Sequence, residues 1–360
     1  MYRRPHMRTF ILLLALSLFA HARTEAKPQF NSTYGPLPVF ELHSGFWINL
    51  HHTLYHEARQ RTAATPEKAG KTSGPALRTA PEPKPTLTAV EKKAWDEAVA
   101  YYVANYADKD LLFTTELIQL KNQLGDFEDC DELSGRNKKF CDAGLPPKLT
   151  QVLEAAAPVY RAHSWPDHDR ANRRWIQRVA PLVIEQGVGL SERLADIYQT
   201  RWPRAKIRVD VAAYANGAGA YTTLDPLRVT ISSLDSRNQS AEALEVLFHE
   251  ASHGIAEPVQ QAIIRECRQR DKAIPRDLWH ALIFYTTGEV IRPVLASASP
   301  GPGDQDGSIP GGAYTPYAVR EGLYQRGWDD YLKLLQRFWQ PYLDGRATFD
   351  DAVARMVSSL

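Results

Sequence analysis

The chain has 360 residues, 44% of them hydrophobic and 24% charged, which is typical of a globular protein. Its formal net charge of +1 gives no indication of a nucleic acid or an anionic membrane as a partner. Beyond the N-terminal segment, no stretch is apolar for long enough to span a bilayer, so no membrane span is expected in the mature protein.

Residues 1–22 are predicted to be a signal peptide. Three arginines precede the apolar run 10–20, which is too short for a membrane span, and residues 20–22 fit the small-x-small cleavage pattern. Because the segment carries three basic and no acidic residues, its removal changes the net charge to +1 − 3 = −2. We therefore expect an exported protein, periplasmic or secreted, with an uncleaved membrane anchor as the alternative.

Three cysteines are present in the chain. Cys130 and Cys141 lie close together in a polar stretch, and in an exported protein this spacing favours a local disulfide over two free thiols. Cys267 has no evident partner and is expected to be a small buried residue.

Residues 23–58 are predicted to form an N-terminal segment that packs on the main domain. The aromatic-rich stretch 43–58 is expected to be helical, and in it His52 and His56 are four residues apart. Thr53 follows the first of them, so this pair lacks the glutamate of a catalytic zinc motif and is interpreted as packed or solvated. Residues 59–88 are rich in Ala, Thr, Pro and Lys and are predicted to be a disordered loop.

The main domain is expected to cover residues 89–360. Helical periodicity through residue 202 gives way to alternating patterns at 206–214, 220–224 and 228–232, which predict three strands. A hairpin signal at 216–217 suggests that they form a meander. The predicted fold class is α+β, mainly α-helical, with a small antiparallel or mixed sheet of about three strands before the helix that follows. One edge strand is expected to leave its backbone free to pair with an extended peptide.

That helix, predicted over 240–257, contains an H-E-x-x-H pattern at residues 249–253. His249 and His253 are four residues apart and therefore lie on one helix face, where both imidazoles reach a single metal ion. Glu250 is then placed to deprotonate a zinc-bound water. The opposite face of the helix is apolar and is expected to be buried.

A catalytic zinc site needs a third protein ligand. The metzincin continuation is absent, and Glu257 lies in the same helical row as the histidines, which makes it a poor candidate. The apolar helix predicted over 276–293 carries Glu289, and an ionised carboxylate in such a helix needs a partner that a metal would supply.

With these residues the chain resembles the gluzincin, thermolysin-like metallopeptidases, over residues 205–295. The stretch from Leu278 to Glu289 is also similar to a family of exported bacterial proteins. The resemblance implies that His249, His253 and Glu289 hold Zn²⁺ and that Glu250 is the general base or acid. Pro293 stands where thermolysin has a histidine-orienting aspartate, so the surroundings of the ligands are expected to differ.

Hydrolysis also needs a donor for the developing oxyanion. The candidates are His280, Tyr285, Tyr314 and Tyr317, the last two after a Gly/Pro-rich loop at 299–312. Of these, Tyr317 and His280 are predicted to be catalytic residues. On a straight helix His280 lies about 180° from Glu289, which argues against it unless the helix begins late or bends.

The sequence thus predicts an exported zinc metalloendopeptidase that hydrolyses peptide bonds in a peptide or protein substrate. Two alternatives stay open. One is a non-proteolytic envelope protein with a structural zinc or a partner-binding cleft. The other is a zinc hydrolase of a non-peptide bond.

Overall fold

A computed structural model describes residues 39–64, 76–82, 85–128, 130, 132–133, 144–239, 241–297 and 314–360. The predicted signal peptide, Cys141 and the Gly/Pro-rich loop 299–312 lie outside the described residues. Cys130 is disulfide-bonded, and Cys267 is a buried free thiol.

Helices make up most of the described chain, as predicted for a mainly α-helical α+β fold. They are α1 (Phe46–Ala63), α2 (Ala89–Asn105), α3 (Thr115–Asp126), α4 (Pro147–His163), α5 (Trp165–Ile197), α6 (Glu242–Ser252), α7 (Glu257–Gln269), α8 (Leu278–Ser297), α9 (Tyr317–Arg320), α10 (Asp329–Leu334), α11 (Gln340–Leu343) and α12 (Phe349–Ser358). Short 3₁₀ turns cover Ser236–Asn238 and Tyr324–Arg326, and a π-helical turn covers Leu335–Trp339. None of the described helices combines the length and apolarity that a bilayer crossing requires.

Four strands form one mixed sheet, which confirms the predicted fold class. They are β1 (Phe40–His43), β2 (Ile207–Ala212), β3 (Ala220–Leu224) and β4 (Leu227–Ser232), in the order β1-β2-β4-β3. The meander was wrong: β2 runs parallel to both β1 and β4, and only β3 and β4 form an antiparallel pair. The connection after β2 therefore passes β4 and places β3 at the edge.

The two faces of the sheet belong to different cores. Alternate residues of β2 and β4, among them Val209, Val211 and Val229, pack with α5 to α8 and the C-terminal helices. On the opposite face Tyr221 of β3 joins the core built by α1 to α4. This division follows from the period-two alternation of side chains along each strand. Helix α6 packs against β3 and β4 on the face that carries Val209, Val211 and Val229.

Residues 76–82 fall inside the predicted disordered loop but contact several parts of the protein. The Arg78 amide donates to Asp235 at 3.0 Å, and its guanidinium pairs with Glu321 at 2.7 Å. Glu82 accepts hydrogen bonds from Tyr214 and lies 3.1 Å from His168 Nε2. The described part of this connection therefore links the sheet region to the segment after α9. Helix α1 also runs to Ala63, past the predicted end of the first helix at residue 58.

His52 of α1 belongs to a buried polar network under the sheet, whereas His56 is half-buried, stacks on Tyr214 and hydrogen-bonds Gln60. His52 hydrogen-bonds Ile48 O and lies 2.9 Å from the Tyr221 hydroxyl, in keeping with a packed residue. Lys121 of α3 is fully buried and donates to Thr223 Oγ1 at 2.7 Å. Burial lowers the pKa of Lys121 to about 8, although the nearby Asp210 opposes the shift.

This shift predicts a pH dependence of stability. A lysine whose pKa falls from 10.5 unfolded to about 8 folded binds fewer protons in the folded state across that interval. The free energy of unfolding should therefore rise with pH between about 8 and 9.5, by up to about 1.4 kcal/mol per pH unit. Urea unfolding of the wild type and of Lys121→Met over this range measures the difference. Parallel curves for the two proteins would contradict the assignment.

Candidate metal centre

Three histidines from two helices converge on one point. His249 and His253 come from the end of α6, and His280 comes from the first turn of α8. One ring nitrogen from each lies within 4.8 Å of the other two. The ring centroids are 5.1 Å apart for His249 and His253, 5.4 Å for His249 and His280, and 5.1 Å for His253 and His280. This group, called the histidine triad below, is able to hold a metal ion.

Helix packing explains why these side chains meet. Leu244, Leu247 and Phe248 are fully buried in the core shared with the sheet, so the remaining side of α6 turns toward α8. The helix ends at Ser252, shorter than predicted, and His253 is its C-cap in right-handed helical geometry. His253 therefore still lies on the same face as His249, although the helix has ended at the residue before it.

The third member of the triad is His280 and not the predicted Glu289. Nine residues separate the two along α8, which is about 13 Å along the axis and half a turn around it. Because α8 begins only at Leu278, its first turn lies beside the end of α6. Glu289 instead pairs with Arg292 and lines a separate cavity with Tyr285.

The protonation of the triad suits a metal. Burial, reinforced by neighbouring imidazoles, lowers the pKa of His253 to about 3 and that of His249 well below its usual value. Burial lowers the pKa of His280 to about 4. All three are thus neutral at physiological pH, the form that binds metals. His249 Nδ1 is buried without a hydrogen-bond partner among the described residues.

Aromatic side chains surround the triad in place of carboxylates. The Phe284 ring stacks on His249 with centroids 3.5 Å apart, and Trp279 lies edge-on to His253 at 5.6 Å. Trp328 contacts His280 at 5.5 Å. In the described chain no carboxylate accepts a hydrogen bond from these imidazoles. Packing therefore orients the rings.

Glu250 is buried beside the triad and anchored to the edge strand. Thr222 Oγ1 lies 2.7 Å from Glu250 Oε2 and donates to this carboxylate, and it is also 2.8 Å from the Glu250 carbonyl oxygen. Burial raises the pKa of Glu250 to about 7, and the hydrogen bond from Thr222 opposes the shift. A carboxylate with this pKa accepts and returns protons near neutrality.

A small cavity of about 40 Å³ lies next to these groups, between β3, α6, α8 and α9. His249, Glu250 and Tyr317 all line it, so the structure brings the predicted general base and one predicted donor together. A second carboxylate, Glu245, lies one turn before His249 in the same wall. It accepts hydrogen bonds from Tyr314 Oη at 2.5 Å and from the Tyr317 amide at 2.9 Å.

Sequence reasoning did not assign Thr222, Glu245 or Phe284 to the site. Glu245 carried a usable signal, because it stands four residues before His249 in the row of the motif. Thr222 carried none, since only the packing of β3 on α6 brings it to Glu250. Tyr285, one of the predicted donors, bonds Gln340 Oε1 at 2.7 Å and lines the cavity that contains Glu289.

Comparisons with known proteins give no relative on which to base an assignment: no family model, curated protein or solved structure matches the chain. The chemistry of the site must therefore be argued from its own residues.

The triad predicts which substitutions abolish metal binding. His280→Ala should lower the affinity for Zn²⁺ by more than the roughly 10- to 100-fold typical of changes around the ligands, because one of three ligands is lost. Glu289→Ala, a matched change on the same helix, should leave the affinity unchanged. Competition titrations with a chromophoric chelator measure both. If Glu289→Ala loses zinc and His280→Ala does not, Glu289 and not His280 would be the third ligand.

Proposed function

We propose that the protein is an exported zinc-dependent metallopeptidase. The observation that carries the proposal is the position of Glu250, a buried carboxylate that lines the same cavity as His249 and has a pKa near neutrality. Three neutral imidazoles are a ligand set used by catalytic zinc, with a fourth position left for water or substrate. A structural zinc site would need a fourth protein ligand, and no other Cys, His, Asp or Glu of the described residues joins the group.

Zinc held by the triad would supply a Lewis acid for the carbonyl oxygen and would make water acidic enough to react at neutral pH. In the proposed reaction Glu250 takes a proton from the attacking water as the oxygen bonds to the carbonyl carbon. It then transfers this proton to the leaving nitrogen as the carbon–nitrogen bond breaks. Tyr317, which lines the same cavity, is proposed as the donor to the developing oxyanion.

A zinc hydrolase of a small non-peptide substrate is the second candidate function. Residues 220–223 of the edge strand are all buried, and the cavity of about 40 Å³ is small for a polypeptide. Such surroundings favour a compact substrate over an extended chain paired along β3. The catalytic groups would be the same in both cases.

Export is proposed from the N-terminal sequence, which lies outside the described residues. The disulfide of Cys130 supports it, because disulfides persist mainly in oxidising compartments such as the periplasm and the extracellular space.

Glu250→Gln tests whether the site is catalytic. Removal of the proton acceptor should reduce kcat by about 10²- to 10⁴-fold, because general acid–base catalysis contributes this much. The zinc content should stay at the wild-type level, since Glu250 is outside the triad. Hydrolysis is assayed on casein, quenched peptide libraries and small ester and amide substrates. Wild-type protein that is fully zinc-loaded and hydrolyses none of them would point to the non-catalytic alternative.

Thr222 is predicted to position Glu250. Thr222→Val keeps the shape of the side chain but removes the hydroxyl, so kcat should fall by about 10-fold or more while KM changes little. Thr222→Ser restores the hydroxyl and should recover most of the lost rate. Steady-state kinetics of the three proteins distinguish the two roles. If Thr222 only packs, Thr222→Ser should lose more kcat than Thr222→Val, because it removes the methyl group.

A further inference from the structure

Glu245 is a buried carboxylate that forms no direct ion pair with the described residues. Its side chain is 1% exposed, and no basic side chain of the described residues lies within 4.0 Å of it. Arg320, the nearest cation on α9, pairs with Glu242 at 2.9 Å and Glu321 at 3.4 Å instead. Burying an ionised carboxylate is costly unless a cation or several donors compensate for it. The Tyr314 hydroxyl and the Tyr317 amide both donate hydrogen bonds to Glu245, and they compensate for its burial only in part.

Glu245 lines the cavity beside the triad, together with His249 and Glu250. The other five lining residues are the small or aliphatic Ala218, Ala220 and Val246 and the aromatic Phe284 and Tyr317. Glu245 is one turn from His249, about 6 Å along α6. A flexible four-carbon stem such as that of lysine bridges such a distance while its methylenes contact apolar walls.

We propose that this cavity binds an alkylammonium group of the substrate, with Glu245 as its countercharge. The inference rests on the proposed hydrolytic function only for the word substrate, since binding of the cation is measurable without turnover. Burial raises the pKa of Glu245 to about 7, although the hydrogen bonds from Tyr314 and the Tyr317 amide and the charge of Arg320 oppose the shift. The ammonium comes either from a lysine-like side chain or from the amino terminus of a peptide.

A purely structural role for Glu245 makes a different prediction. Through Tyr314 and the Tyr317 amide, Glu245 also fastens the 314–317 segment to α6. Gly288 permits this approach, because a Cβ there would lie 2.6 Å from Pro316 Cβ. If fastening is the only role, Tyr314→Phe, which removes one of these hydrogen bonds and keeps the carboxylate, should disturb the cavity as Glu245→Gln does.

The test uses zinc-loaded full-length protein and two unreactive probes of nearly equal shape, n-butylammonium chloride and 1-butanol. Isothermal titration calorimetry should show that the wild type binds butylammonium at least about tenfold more tightly than butanol. Glu245→Gln should remove this preference, while Tyr314→Phe should retain it. Equal affinity for the two probes in the wild type would overturn the proposal, as would equal losses in the two variants.

Two pairs of peptides then identify the source of the ammonium. Each pair compares lysine with norleucine, which replaces the ammonium by a methyl group, and one pair has a free and the other an acetylated amino terminus. A rate advantage for lysine assigns the side chain, and a loss on acetylation assigns the terminus. Hydrolysis without either preference would overturn the inference and leave the proposed function intact. Absence of hydrolysis would count against the function and leave the calorimetric result standing.

Discussion

The removal of polar side chains from water where α6 meets β3 and α8 is the constraint on which the site depends. Helix α6 buries its apolar side in the core beside the sheet, and its polar side is covered in turn by α8 and α9. His249 and Glu250 are therefore desolvated by the same packing that holds the fold together. Desolvation keeps the imidazoles neutral and raises the carboxylate pKa, so the core creates the chemistry of the site.

Much of the fold was predictable because its local patterns are strong. The strands β2 to β4 and the motif helix lie where alternation and helical periodicity indicate. Strand β1 was missed because its four residues give too short a pattern for alternation to be recognised. The order of the strands was also missed. A hairpin signal after β2 predicts a turn, but it does not show whether β3 pairs with β2 or whether β4 lies between them.

The site shows the same limit more sharply. His249, Glu250 and His253 follow from spacing within one helix, which a sequence records directly. The third member of the triad depends on where α8 begins and which of its sides faces α6, and the motif contains neither piece of information. His280 and Glu289 lie on opposite faces of α8, so His280 joins the triad while Glu289, the predicted ligand, lines a separate cavity. The aromatic surroundings of the triad are likewise a product of tertiary packing and have no local signature.

Strand β1 has a consequence for how the chain reaches its folded state. It pairs in parallel with β2 through Phe40 and Ile207, so the sheet joins segments that are more than 160 residues apart in sequence. Contacts of such long range carry a large loop-closure entropy and form slowly. Until they form, one edge of β2 presents unpaired backbone groups that favour association with other chains. The first strand must therefore be in place before the sheet is protected from aggregation.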